Sequence, residues 1–265
     1  MKAGVTGLIL PAEWEFGETL DRIKSAGYTA LEPALRDSGY FGLSSSAEEV
    51  RDLAKRAEDS GVELVSACTA VRGRSKDVMS NDQGIRRESI ATVRECMRIV
   101  GLAGIDTMLL TLGKLTPDLY YDDAYRNALS ALREIAPIAQ DMGVKLAIEY
   151  IWNKFLLSPM EFARFCDEVG SPNVGFYFDP GNMAISGFPE HWVRICARHL
   201  MAVHVKDFRR EGYQWTPLLE GDVSFSAVMA ELRKTGFDGA LVSEVDLKLA
   251  SLSETAESIL KIAAM

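Results

Sequence analysis

Short apolar runs rich in β-branched and aromatic residues alternate along the chain with longer stretches whose apolar positions recur at helical spacing. The runs predict strands at Ala3–Leu10, Tyr28–Leu35, Val62–Val71, Ile105–Leu112, Val144–Tyr150, Val174–Asp179, Met201–Lys206 and Ala240–Val245. The periodic stretches predict helices at Phe16–Ser25, Ala47–Ser60, Gly84–Leu102, Ala124–Met142, Pro159–Val169, Glu190–His199, Phe225–Thr235 and Ser253–Ala263. Helical stretches tend to close on a glycine before the next strand, the residue that best tolerates the left-handed backbone at a helix end. Alternating βα units with nearly continuous apolar strands describe a parallel sheet covered by helices on both faces. Eight such units favour closure into a single α/β domain, a (β/α)8 TIM barrel, over an open doubly wound sheet. An open sheet would carry a glycine-rich phosphate turn after its first strand, and Leu8-Ile9-Leu10-Pro11 is not one.

No proline- or serine-rich linker divides residues 1–265, although Arg72–Asp82 and Phe208–Asp222 read as polar loops long enough to cover a site. The net charge of −9 opposes a nucleic-acid partner, and no basic run stands out against it. No stretch has the make-up of a secretion signal or of a membrane span, so a cytoplasmic protein with no membrane partner is expected. Cys68, Cys96, Cys166 and Cys196 are far apart and apolar in context, which predicts reduced core thiols rather than zinc ligands or disulfides.

In a closed βα barrel the chemistry gathers where the strands end, beneath the loops that lead into the helices. The fifth predicted strand runs into Glu149, the sixth into Asp179, the seventh into His204 and the eighth into Glu244. A lone carboxylate or imidazole at a strand end is usually a cap or an ion pair. Four on adjacent strands are another matter, because several acids meeting at one buried mouth require a counter-charge. A divalent cation supplies it. Three carboxylates and one imidazole make a mostly oxygen site, so Mn²⁺ is the metal expected, with Mg²⁺, Co²⁺ or Zn²⁺ as alternatives.

Glu149, Phe178-Asp179-Pro180-Gly181-Asn182, Val203-His204-Val205-Lys206-Asp207 and Glu244 follow one another in an order and spacing that resembles the sugar phosphate isomerase/epimerase family of xylose isomerase-like barrels. The resemblance spans the whole chain. It implies that Glu149, Asp179, His204 and Glu244 bind the metal, and that Glu149 and Glu244 also form a proton-transfer pair across the substrate. It further implies a sugar, sugar phosphate or cyclitol as substrate and a homodimeric assembly. A metal that binds a ketose carbonyl and its neighbouring hydroxyl acidifies the carbon between them and stabilises the enediolate. One glutamate takes that proton, and a second on the opposite face returns it, giving an epimerase or an isomerase. Expulsion of a β-hydroxyl from the same intermediate would give a keto-sugar or inosose dehydratase.

Further residues are candidates for holding substrate. Asn182 stands where family members acting on free ketoses often have a histidine, and an amide cannot exchange a proton near neutral pH. Its plainer role is that of a turn residue in Pro180-Gly181-Asn182. Arg210 matches a family arginine that holds a substrate hydroxyl, and with Arg209 it could instead hold a phosphate. Lys206 is a candidate contact or an ion-pair partner, Glu32 at the end of the second strand a candidate hydroxyl acceptor, and Trp152 and Trp14 candidate walls for a sugar ring. With only three histidines, two on one predicted helix, an endonuclease IV-like phosphodiesterase is disfavoured. A non-catalytic sugar-binding barrel is the remaining class.

Overall fold

The computed structural model describes residues 1–72, 74 and 76–265, so Gly73 and Ser75 of the expected loop Arg72–Asp82 lie outside the described residues. The strands are β1 (Lys2–Thr6), β2 (Ala30–Glu32 continuing as Ala34–Leu35), β3 (Glu63–Leu64 continuing as Ala67–Thr69), β4 (Thr107–Leu110), β5 (Lys145–Glu149), β6 (Val174–Phe178), β7 (Leu200–Val205) and β8 (Ala240–Ser243). Every pairing between them is parallel. β1 lies between β8 and the first half of β2. Each half of β2 pairs with the matching half of β3, and β3 pairs onward to β4. The remaining neighbours run in order from β4 to β8, which closes the ring. The break in β2 falls at Pro33, which has no N–H to give to the ladder but accepts from Cys68 N at 3.0 Å.

The helices are α1 (Phe16–Ser25), α2 (Ala47–Ser60), α3 (Gln83–Leu102), α4 (Tyr121–Asp141), α5 (Pro159–Val169), α6 (Pro180–Ala184), α7 (Pro189–Cys196), α8 (Phe225–Thr235) and α9 (Leu252–Ala264). Four carry the expected bounds, and α3, α4 and α9 begin somewhat earlier than expected. The expected helix Glu190–His199 instead ends as α7 at Cys196 and tightens into a 3₁₀ turn over Ala197–His199. The first expected strand stops at Thr6, because the apolar residues beyond it pack under the loop rather than in the ladder; Leu10 is buried.

Two elements differ from the sequence reading in kind. Pro180-Gly181-Asn182 is not a free turn but the start of α6, with proline at its first position and the Asp179 side chain capping it. Part of the expected polar loop Phe208–Asp222 is an antiparallel hairpin of Asp207–Arg209 with Gln214–Thr216. Asp207 anchors it: its buried carboxylate accepts from the backbone N–H groups of Phe208, Gly221 and Val223 at 2.8 to 3.2 Å. Loss of solvent pushes its pKa up despite those bonds.

The helices bury their apolar faces on the outside of the ring, where Phe176 meets Phe162, Phe178 and Trp192 with ring centroids 4.8 to 6.1 Å apart. Inside the ring a layer of Ala34, Cys68, Leu109, Ala147 and Ala202 surrounds Tyr177. The small members leave room for one phenol and for polar side chains above it. Gly175 serves the same strand, since a Cβ there would lie 2.4 Å from the His199 carbonyl at the entry to β7. All four cysteines are buried and unpaired, as expected. No helix among the described residues is long and apolar enough to cross a membrane.

Because Phe176 is fully buried and packed against three aromatic rings, Phe176→Ala should lower unfolding free energy by about 3–5 kcal/mol in urea denaturation. Leu157→Ala, at a side chain 55% exposed, should change it by less than about 0.5 kcal/mol. Equal effects from the two would contradict the packing of β6 described here.

Candidate active site

Parallel strands deliver their last residues to one face of the barrel. Glu149 is the final residue of β5, Asp179 and Glu244 are the first residues beyond β6 and β8, and His204 is next to last in β7. One ligand-type atom from each of these residues lies within 4.8 Å of all the others. His204 and Asp179 have no solvent exposure, and Glu149 has 8%. The four predicted strand-end residues therefore form one cluster.

Each member is oriented by a partner outside the group. His204 Nε2 lies 2.8 Å from Glu32 Oε1, and Glu32 Oε2 accepts from Tyr177 at 2.6 Å and from Ser66 at 2.7 Å. The carboxylate of Glu32 thus fixes the imidazole's ring and holds a proton on Nε2. That leaves His204 Nδ1 aimed into the cluster, 3.3 Å from Glu244 Oε2 and 3.7 Å from Glu149 Oε1, buried and without a hydrogen bond. Asp179 divides its two oxygens. Oδ1 caps α6 by accepting from Gly181 N and Asn182 N, while Oδ2 turns into the cluster. Oδ2 has Lys206 Nζ at 3.0 Å, within ion-pair distance but not aligned as a hydrogen bond. Lys206 Nζ also donates to Glu244 Oε2 at 2.8 Å, and Asn182 Nδ2 donates to Glu149 Oε1 at 3.0 Å.

The charges do not balance. Four carboxylates, those of Glu32, Glu149 and Asp179 buried and that of Glu244 partly so, face one ammonium and one imidazole. Burial and the charge of Glu244 push the pKa of Glu149 up, whereas Lys206 and His204 overcome burial at Glu244 and hold it down. Burial opposes a charge on His204, but the carboxylates around it outweigh that and raise its pKa. A divalent cation would relieve this imbalance. Two buried polar atoms without hydrogen bonds converge on the place it would take, and a ligating histidine with its other nitrogen on a carboxylate is the usual arrangement. The residues present fit a metal, with Glu149, Asp179, His204 Nδ1 and Glu244 as its ligands.

A model of the xylose isomerase-like TIM barrel matches residues 20–262. The chain belongs to that family. The L-ribulose-5-phosphate 3-epimerase UlaE of Escherichia coli K12 is 25% identical over 261 residues, which cover 96% of this chain and 88% of that protein. The crystal structure of a D-psicose 3-epimerase with D-fructose superimposes with a TM-score of 0.79 at 21% identity, covering 100% of this chain and 97% of the other. That of the 3-keto-D-glucoside 4-epimerase YcjR of Escherichia coli gives 0.81 at 15% identity, with both chains covered completely.

The remaining candidates fall at several depths in this xylose isomerase-like barrel. Glu32, expected as a hydroxyl acceptor, is fully buried beneath His204 with both oxygens engaged, so it positions the imidazole rather than meeting a ligand. Asn182 is buried on α6 against Glu149. Lys206 bridges Asp179 and Glu244. Arg210 is spent on backbone: Nε and Nη2 donate to the Ala184 and Gly187 carbonyls at 2.8 Å, which ties the hairpin to the end of α6. Arg209 donates to the Glu220 carbonyl. Trp14 lies under the Arg22 guanidinium, 4.5 Å from its ring centroid, and away from the cluster. Trp152 is 43% exposed and stacks on Trp215 at 4.8 Å and 12°.

Trp215 was not apparent from sequence. It lies 4.9 Å from Lys206 Nζ and, with Ile9, Lys206, Glu244 and Leu249, lines a cavity of about 230 Å³ that opens on the cluster. Its strand sits in a stretch that reads as polar loop, so no periodicity marked it. Tyr177 was legible in principle, because the alternation of β6 puts it on the same face as Asp179. Ser66 carried no comparable signal. Larger cavities lie between α5 and α7 and beside α2, but neither gathers the cluster's donors, so chemistry rather than size locates the site.

Glu32→Gln keeps a hydrogen-bond acceptor for His204 but removes the charge that favours Nδ1 as a metal ligand. Calorimetric titration with Mn²⁺ should show affinity about 10–100-fold below wild type, with an unchanged circular dichroism spectrum. Equal affinity would sink the assigned role of Glu32.

Proposed function

We propose that the protein is a divalent-metal-dependent enzyme that epimerises or isomerises a ketose or ketose phosphate, with Glu149 and Glu244 as its proton-transfer pair. The observation that carries this reading is the convergence of four ligand atoms within 4.8 Å around two buried polar atoms that lack hydrogen bonds. The activities of relatives that match nearly the whole chain, ketose and keto-sugar epimerases, agree with it.

A bound divalent ion would polarise the ketose carbonyl and so lower the cost of removing the proton from the adjacent carbon. Glu149 and Glu244 approach the cluster from different strands and on either side of His204. One carboxylate takes the proton from carbon, and the other, protonated, returns one. Return to the opposite face of the same carbon inverts it, and return to the neighbouring carbon exchanges ketose for aldose. Asn182 and Lys206 hold one oxygen of each glutamate, so the carboxylates are oriented before substrate arrives. Trp215, backed by the stacked Trp152, and Leu249 wall the cavity beside Glu244 and would limit water there.

Metal content by mass spectrometry should show one divalent ion per chain. In deuterium oxide, the loaded protein should place deuterium beside the carbonyl of a ketose or ketose phosphate, read by mass spectrometry and by proton NMR after chelation. Loss of a hydroxyl-bearing carbon would mark a dehydratase instead. Glu244→Gln that still holds metal should exchange at least about 10²-fold more slowly, and wild-type exchange by that variant would refute the glutamate pair.

A further inference from the structure

The candidate metal ligands occupy the ends of β5 to β8, which leaves the ends of the other four strands open to the rest of a substrate. A second cavity, of about 460 Å³, lies there, bounded by Ala12, Arg36, Asp37, Tyr40, Ala70 and Arg72. Its cations come from two different loops, following β2 and β3, and gather only on folding. Arg36 Nη2 donates to the Gly7 carbonyl at 3.0 Å, which fixes the guanidinium beside the first loop. Arg72 is exposed, and its backbone N–H donates to Asp37 Oδ2 at 3.0 Å. Lys76 is half-buried nearby, held by the Thr69 carbonyl at 3.1 Å and within reach of the charges of Asp37 and Arg72. Two arginines thus line the cavity beside one acid, with Lys76 near them, in a chain whose net charge is −9.

We propose that the cavity between Arg36 and Arg72 binds the phosphate monoester of a ketose phosphate, and that this group sets the substrate class of the enzyme. The inference rests on the ketose reading of the metal cluster and deepens it. The two cavities share the first loop: Ile9 lines the one beside Glu244 and Ala12 the one beside Arg36. Ile9 and Ala12 stand at most about 10 Å apart along that loop, so the two cavities adjoin, and an acyclic sugar phosphate held at the metal cluster would reach from the first towards the second. Two guanidinium forks suit a group with three oxygens and two charges better than a carboxylate with two oxygens and one. The other arginine pair on this face, Arg209 and Arg210, is committed to backbone carbonyls.

The test is calorimetric titration with inorganic phosphate and, separately, with acetate, on wild type, Arg72→Ala, the double variant Arg36→Ala/Arg72→Ala and a control, Lys114→Ala, at an exposed lysine in the loop that follows β4. Wild type and the control should bind phosphate more tightly than acetate, with phosphate binding weakened about tenfold or more for each arginine removed. Arg72 is exposed, so its single variant keeps the test valid if the double variant fails to fold. The proposal is overturned if wild type does not bind phosphate, if Arg72→Ala binds it as tightly, or if acetate binds equally well. Deuterium exchange with D-fructose and D-fructose 6-phosphate then separates the two readings. Phosphate binding that depends on Arg72 with no exchange in any ketose would leave the anion site standing and remove the ketose assignment. Exchange with equal KM for both sugars in wild type would leave the ketose assignment standing and remove the anion site.

Discussion

The hydrogen bond between His204 and Glu32 spans the barrel from β7 to β2, and the candidate site depends on it. A buried carboxylate is costly unless its charge is compensated and its lone pairs are met. Glu32 meets that condition with three partners, one each from β7, β6 and the middle of β3. Because those bonds hold Nε2 of His204 on Glu32, Nδ1 is the nitrogen that faces the cluster and would bind a metal there. The geometry of the mouth is therefore set from beneath, by a group that no ligand reaches.

The small side chains in the layer below make this arrangement fit. Ala34, Ala147 and Ala202 leave volume for Tyr177, whose hydroxyl reaches up to Glu32. Above, Asp179 serves two structures at once: one oxygen starts α6 and the other joins the cluster. The short helix in turn carries Asn182 to Glu149. Gly181 sits between them at a contact too close for a side chain, since a Cβ would lie 2.6 Å from Lys206 Cγ and 2.9 Å from its carbonyl oxygen.

The alternation of apolar runs and helical periodicity made the barrel legible, and the rule that strand ends carry the chemistry made Glu149, Asp179, His204 and Glu244 legible with it. What sequence could not show was depth. Glu32 ends only the first half of β2, which runs on past it as Ala34–Leu35, and its carboxylate lies buried against Nε2 of the imidazole instead of beside the other ligands. Arg210 has the spacing of a ligand-holding arginine, but the hairpin that carries it bends to α6, where backbone carbonyls take its donors. Of the cations Arg36, Arg72 and Lys76, the last two stand with Arg74 in one basic stretch after β3, but their meeting with Arg36 from the loop after β2 left no mark in the sequence. Hairpin pairing, loop convergence and the level at which a strand ends are all tertiary facts, and local periodicity does not encode them.

The stacked indoles of Trp152 and Trp215 have a consequence for anyone who studies the protein in solution. Trp215 has the Lys206 ammonium 4.9 Å from its ring, and that ammonium rests on two of the cluster's carboxylates. Any cation or sugar that draws those carboxylates away changes the field at the indole and with it the colour and intensity of its emission. Of the chain's four tryptophans, Trp14 and Trp192 lie in packing away from the mouth. The molecule therefore carries a built-in fluorescent reporter beside its own site.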